Sequence, residues 1–194
     1  MRLFVAIDVS GETRAQVREV RHTLERQLAA VARPPRVTWV ADAAAHVTIR
    51  FIGEVSDTTA EAIRAALSLP IAVEPYDLVF SGAGTFPNNR RPRVVWLGAG
   101  AGQEQTARVA AAVNERLDPI LGRGEDRPFR AHLTVGRVKE PVPFDWEAAL
   151  STIARGSTVS HIDHVTLYRS TTAPEGPTYT ALSVTPLDHA RQRR

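Results

Sequence analysis

Three stretches of the chain share one pattern, histidine–apolar–threonine–apolar. They are His46-Val47-Thr48-Ile49, His132-Leu133-Thr134-Val135 and His164-Val165-Thr166-Leu167. On a β-strand, side chains two residues apart point the same way. In each tetrad the histidine and the threonine would therefore share one face, and the apolar pair the other. Two such strands side by side would bring two imidazoles and two hydroxyls into one groove. That set suits phosphoryl chemistry. A neutral histidine takes a proton from water, and a cationic one protonates a leaving alkoxide. The hydroxyls donate to non-bridging oxygens as charge builds there. No metal, cysteine or serine nucleophile is required. The same tetrads are also what an ordinary half-buried strand looks like, and the third could be a plain strand or a third histidine aimed at the same groove.

The elements that must position these residues follow from periodicity. Leu3, Val5 and Ile7 alternate with Phe4, Ala6 and Asp8, which predicts a strand over residues 2–9. Val17, Val20, Leu24 and Leu28 lie at helical spacing, in a helix from Gly11 to about Ala32 that Pro34 and Pro35 end. Short strands are expected at Val37–Val40 and His46–Gly53, with Val47, Ile49 and Phe51 on the face opposite His46. Asp57 or Thr58 should cap the next helix, with Glu61 completing a box from Thr58. Strands follow at Tyr76–Ser81 and Val94–Gly98, around a loop from Gly82 to Arg93 rich in Gly, Pro, Asn and Arg. A helix spans Gln103 to about Leu121, with Val109, Val113 and Leu117 in register. Beyond the second tetrad come a short helix near Asp145–Ala154 and strands at Val159–Tyr168 and Tyr179–Val184. About eight strands with four helices, and no long linker, make this an α+β or mixed α/β chain with mainly antiparallel pairing. It reads as one domain over residues 1–194, with 189–194 a fraying tail.

Composition narrows the function classes. The 194 residues include no cysteine, which excludes a disulfide scaffold, thiolate metal sites and a cysteine nucleophile. Apolar residues at 43% support a core, and aromatics at only 6% make that core aliphatic. Of 24 basic residues Lys139 is the only lysine, and the net charge is +3. Arginine's planar fork suits phosphate, although GC-rich codons produce the same bias. No segment reaches the ~20 apolar residues that span a bilayer, and the apolar start is broken by Asp8. The expectation is a cytoplasmic protein with no membrane partner.

Read from end to end, the chain resembles the two-histidine phosphoesterases, and within them the RNA 2′,3′-cyclic phosphodiesterases once called 2′-5′ RNA ligases. The resemblance rests on Arg2-Leu3-Phe4-Val5-Ala6-Ile7-Asp8 as opening strand and on His46 to Val55 as first motif with its extension. Gly84-Thr85-Phe86-Pro87 and Pro92 to Gly98 match the middle strands, and Arg127 to Arg137 the second motif. Leu167-Tyr168-Arg169-Ser170 and Gly176-Pro177-Thr178-Tyr179 match the late strand and turn. Ala44 and Ala45 stand where the family usually has Asn-Leu, and Ala131 where it has proline. His164 falls outside the family's motifs and is set aside.

The resemblance implies a bilobed α+β fold: two mainly antiparallel sheets, helices packed outside, and a central cleft between the motif strands. It implies that His46 donates a proton to the leaving 3′-oxygen of a 2′,3′-cyclic phosphate. His132 would accept one from water, leaving a 2′-phosphomonoester, while Thr48 and Thr134 hold the phosphoryl oxygens. The reverse direction would join RNA ends by a 2′-5′ bond. The partner is RNA or an oligonucleotide with a 2′,3′-cyclic end; no cofactor and no metal are expected, and the chain should be a monomer. Arg130, two residues before His132, and Arg50, two after Thr48, would share the motif faces and are candidates for the phosphate or the RNA backbone. Arg90, Arg91 and Arg93 could line the cleft; Trp39 and Trp96 read as packing. His161 and His164 lack the helical setting of a metal pair. A non-catalytic nucleotide- or RNA-binding module of the same fold is the alternative, and intact His and Thr in both motifs count against it.

Overall fold

The computed structural model describes residues 1–124, 128–140, 142–153, 156–173 and 176–188. The tail expected to fray, and His189 within it, lie outside them. Among the described residues the order is β1 (Arg2–Asp8), α1 (Gly11–Ala29), β2 (Arg36–Trp39), β3 (His46–Glu54), α2 (Asp57–Ala66), β4 (Tyr76–Phe86) and β5 (Val94–Ala99). Then follow α3 (Gln103–Leu121), β6 (His132–Glu140), α4 (Trp146–Ser151), β7 (Ser157–Ile162), β8 (His164–Ala173) and β9 (Gly176–Pro186). Two antiparallel sheets result. One has the order β3-β1-β8-β9 and the other β2-β6-β5-β4-β7.

The apolar alternation of β1 does what it promised: Leu3, Val5 and Ile7 are fully buried on one face. Helix α1 leaves β1 of the first sheet and packs on β6 and β7 of the second, while α3 leaves β5 of the second and packs on β3 of the first. Each sheet is therefore backed in part by a helix that the other sheet feeds. Val17, Val20, Leu24 and Leu28 form the buried stripe of α1, and Val109, Val113 and Leu117 that of α3. The motif strands β3 and β6 approach each other to Cα separations of 8 Å or less. The cleft thus lies where the edge of the first sheet meets the second.

Three local expectations are corrected. The single strand expected over Val159–Tyr168 is two strands: β7 pairs with β4 in the second sheet and β8 with β1 in the first, with Asp163 at the crossing. The pattern did not reveal the change of sheet, because Ser160 and Ile162 are buried and Val159, His161 and Asp163 exposed, the alternation that a single strand would show. Strand β4 runs on to Phe86 and takes up the expected loop start, through a bulge between Phe80 and Ala83 where Gly82 adopts φ 75°. Helix α2 is capped by Ser56, whose hydroxyl accepts from the Thr59 backbone N–H, and not by Asp57 or Thr58.

Candidate active site

In antiparallel pairing, directly opposed residues share a face, so the register shows what looks into the cleft. On β1, Asp8 opposes His46, Ala6 opposes Thr48 and Phe4 opposes Phe51. In the second sheet Gly98 of β5 opposes His132, Trp96 opposes Thr134 and Val94 opposes Arg137. Each motif strand carries one extra residue just past its threonine, Ile49 in β3 and Val135 in β6. A bulge of this kind flips the alternation. The next cleft-facing residue is then five past each histidine: Phe51 on one strand, Arg137 on the other.

The two histidines are held alike. Nδ1 of His46 lies 2.8 Å from the Ala44 carbonyl oxygen, and Nδ1 of His132 lies 2.8 Å from the Arg130 carbonyl oxygen. A carbonyl only accepts, so Nδ1 carries the hydrogen in both rings. Nε2 is then left at the outer end of each ring, a base when neutral and an acid when protonated. Aromatic neighbours fix the ring planes. Phe4 stacks on His46 at 4.8 Å between centroids and Tyr179 meets it edge-on at 5.3 Å. Phe86 meets His132 edge-on at 5.1 Å. Phe86 in turn leans on Trp96, whose indole lies so flat across Gly84 that a Cβ there would come within 2.3 Å of it. Thr48 and Thr134 are half-buried, each on its histidine's face.

Charge is distributed unequally. Burial holds the His46 imidazole below the ordinary histidine range, and Arg137 pushes the same way. The Ala44 carbonyl and the Asp8 carboxylate oppose that shift. Asp8 is itself gripped: Tyr168 donates to Oδ1 at 2.7 Å and Thr166 to Oδ2 at 3.0 Å. Burial and the Asp8 bond push the Tyr168 phenol up to about 12, so it remains a donor. His164 lies behind this carboxylate, with Nε2 3.7 Å from Asp8 Oδ2 and Nδ1 bonded to Asp163. The third tetrad therefore supports Asp8 through Thr166.

Comparison with known proteins bears on this arrangement. The family model of the 2′-5′ RNA ligase superfamily matches residues 9–174. The chain belongs to that superfamily. The RNA 2′,3′-cyclic phosphodiesterase of Archaeoglobus fulgidus is 35% identical over 184 residues, which are 95% of this chain and 99% of that protein. That of Thermotoga maritima is 31% identical, over 94% of this chain and 93% of its own. Among solved structures, a protein of Thermus thermophilus superposes with a TM-score of 0.77 at 26% identity, covering 97% of this chain and 99% of that one. Escherichia coli LigT in its apo form gives 0.69 at 27%, covering 96% of each chain. LigT has also been crystallised with 3′-AMP and with phosphate.

Within this superfamily member, the two arginines singled out in the sequence stand in different settings. Because of the Ile49 bulge, Arg50 opposes Val5 and turns to the core face. It is 8% exposed and is spent on α3: Nη1 donates to Asn114 Oδ1 at 2.7 Å and to Asp118 Oδ1 at 2.8 Å, and Nη2 to the Gly122 carbonyl at 2.8 Å. Arg50→Ala should therefore lower stability by about 2–4 kcal/mol, since it orphans these acceptors. A thermal melt should show the loss, while kcat/KM per folded molecule stays within a few-fold. A large loss of kcat/KM with an unchanged melting temperature would return Arg50 to the substrate. Arg130 precedes the strand; its carbonyl holds His132, and its side chain is exposed. Arg90 and Arg91 line a surface hollow with residues 142–147. Trp39 packs on Gly136.

Alternation in β1 already separated Phe4, Ala6 and Asp8 from the core face, which was the available signal for Asp8. Arg137, Tyr168 and Tyr179 had weaker signals. Arg137 reaches the cleft only through a bulge, and the two tyrosines through pairing between distant segments. Among the described residues no group of three or more His, Asp or Glu side chains is placed to hold a metal ion, and no helix is long and apolar enough to cross a membrane.

Proposed function

We propose that this protein hydrolyses RNA 2′,3′-cyclic phosphate ends to 2′-phosphomonoesters, with His46 and His132 as acid and base. The observation that carries the reading is the matched pair of imidazoles, each tied at Nδ1 to the carbonyl two residues before it, on strands that face each other across the cleft. Membership of the superfamily and the 35% identity to a curated cyclic phosphodiesterase support the same substrate class.

In this reading, His132 Nε2 takes a proton from water as the oxygen attacks the cyclic phosphorus. Negative charge grows on the non-bridging oxygens, and the hydroxyls of Thr48 and Thr134 donate to them. Arg137, on the same face, adds a fixed positive charge from a bidentate-capable group. The bond from phosphorus to the 3′-oxygen breaks, and His46 Nε2–H delivers its proton there. Water has been split across the ester, and the phosphate remains on the 2′-oxygen. Burial lowers the His46 pKa, and the Asp8 carboxylate beside it works against that shift, toward the protonated form that a donor needs. Its counterpart opposite His132 is Gly98, which offers no charge. With a 5′-hydroxyl in place of water as the attacking group, the same steps would open the cyclic phosphate into a 2′-5′ linkage and release the 3′-hydroxyl. The two sheets would act as one catalytic domain, monomeric and cytoplasmic, without cofactor or metal.

The test is incubation with a 2′,3′-cyclic-ended oligoribonucleotide in EDTA, followed by identification of the product isomer. The 2′-phosphate should accumulate. A 3′-phosphate product would reverse the assignment of the leaving oxygen. Activity lost in EDTA and restored by Mn²⁺ or Mg²⁺ would overturn a metal-free mechanism.

A further inference from the structure

Phe51 was expected in the core, and the structure puts it on the face of His46, 60% exposed. It opposes Phe4, the ring that stacks on His46. The Arg2 guanidinium lies over the Phe51 ring, 5.2 Å from its centroid. Arg2 also acts electrostatically on Tyr179, whose ring touches both His46 and Phe4. A row of π-faces therefore runs from the reacting histidine through Phe4 and Tyr179 to Phe51 and Arg2. From Asp8, opposite His46, to Phe4, opposite Phe51, is four residues, about 13 Å of strand. Beyond Phe51 the sheet ends in a shallow hollow lined by Arg2, Glu54, Arg169, Ser170, Thr171 and Thr172. A large aromatic left in water beside a guanidinium gives the fold little. It offers a base a stacking surface and a backbone phosphate a cation, the pairing that single-stranded nucleic acid uses.

We infer that Phe51 and Arg2 form a stacking platform for the nucleotide 5′ of the reacting end, so that an oligoribonucleotide is preferred over a mononucleoside cyclic phosphate. The inference rests on the phosphodiesterase reading above and deepens it. Phe4 and Tyr179 stand next to the terminal nucleotide, whose phosphate lies at the histidines. Phe51 stands one step further along the sheet, where a mononucleotide has nothing to place. Stacking needs only a π-face, so the preference is for length and not for sequence.

The experiment compares a tetraribonucleotide ending in a 2′,3′-cyclic phosphate with adenosine 2′,3′-cyclic phosphate, for the native protein, Phe51→Ala and Phe51→Trp. Phe51→Ala should lower kcat/KM on the tetranucleotide about 5- to 100-fold, mainly through KM. Its turnover of the mononucleotide should stay within about twofold, and Phe51→Trp should restore the tetranucleotide value. Anisotropy of a 5′-labelled tetranucleotide ending in a 2′-phosphate gives the same comparison without turnover, and Phe51→Ala should weaken that binding by a similar factor. Equal losses on both substrates, or an unchanged tetranucleotide KM and affinity, would overturn the platform. If neither substrate turns over but the affinity loss appears, the platform stands and the phosphodiesterase reading falls.

Discussion

His46→Ala and His132→Ala are each expected to reduce turnover of a 2′,3′-cyclic end by about 10²–10⁴-fold, the usual loss when a general acid or base is removed. Both proteins should remain folded. Each imidazole sits at the cleft, half-buried, with Nδ1 bonded to a backbone carbonyl two residues away. The two losses should not multiply in the double variant, because the groups act in one transition state. His164→Ala is the control. It has the same tetrad around it and lies near the same carboxylate, but among the described residues its ring nitrogens pair with Asp8 and Asp163. Its loss should be within a few-fold. Turnover measured on the four variants under saturating substrate decides the matter. A His164→Ala protein that is folded and as inactive as the other two would mean the wrong pair of tetrads has been assigned to the chemistry.

The chemistry-bearing part of the site was legible because it is written in strands whose faces alternate. His46 with Thr48 and His132 with Thr134 need only the two-residue period, and the structure keeps each pair on one face. What was not legible depends on departures from that period. One inserted residue after Thr48 sends Arg50 into the core and brings Phe51 out, and the same insertion after Thr134 brings Arg137 into the cleft. A bulge is set by the competition of two strands for register and by what packs behind them, here the Asn114 and Asp118 side chains of α3 waiting for Arg50. Neither is visible in the local pattern. The change of sheet at Asp163 was hidden for a related reason. Val159 to Ile162 alternates exposed and buried positions as any half-buried strand does, and only the topology separates the half that pairs with β4 from the half that supports Asp8. The helices needed no such information, since their apolar stripes and end signals are local; even so, the cap of α2 moved to Ser56.

The dependence of kcat/KM on pH should be bell-shaped, with the alkaline limb governed by His46. The acid must hold a proton while the base lacks one, so activity falls on the alkaline side as His46 deprotonates and on the acidic side as His132 protonates. Burial and the Arg137 charge lower the His46 pKa, so for free enzyme this limb should lie below the ordinary histidine value of about 6.5. A bound phosphate brings negative charge to His46 and favours its protonated form, so the alkaline limb of kcat should sit higher than that of kcat/KM. The two imidazoles face one anion and are coupled, so each limb belongs to the pair. His46→Ala should abolish the alkaline limb and His132→Ala the acidic one; exchanged limbs would swap donor and acceptor and leave the two-histidine mechanism standing. The charges facing His46 give a second handle. Asp8 on β1 favours its protonated form and Arg137 on β6 disfavours it, while Tyr168 and Thr166 on β8 hold the Asp8 carboxylate in place. Asp8→Asn removes the favouring charge, so the alkaline limb should move to lower pH, with activity at pH 8 falling more than activity at pH 5.5. Arg137→Gln should move the same limb to higher pH while lowering the whole curve, since a phosphate partner is lost as well. An Asp8→Asn protein whose activity falls by one factor at every pH would make Asp8 a structural support only, with no hold on the proton of His46.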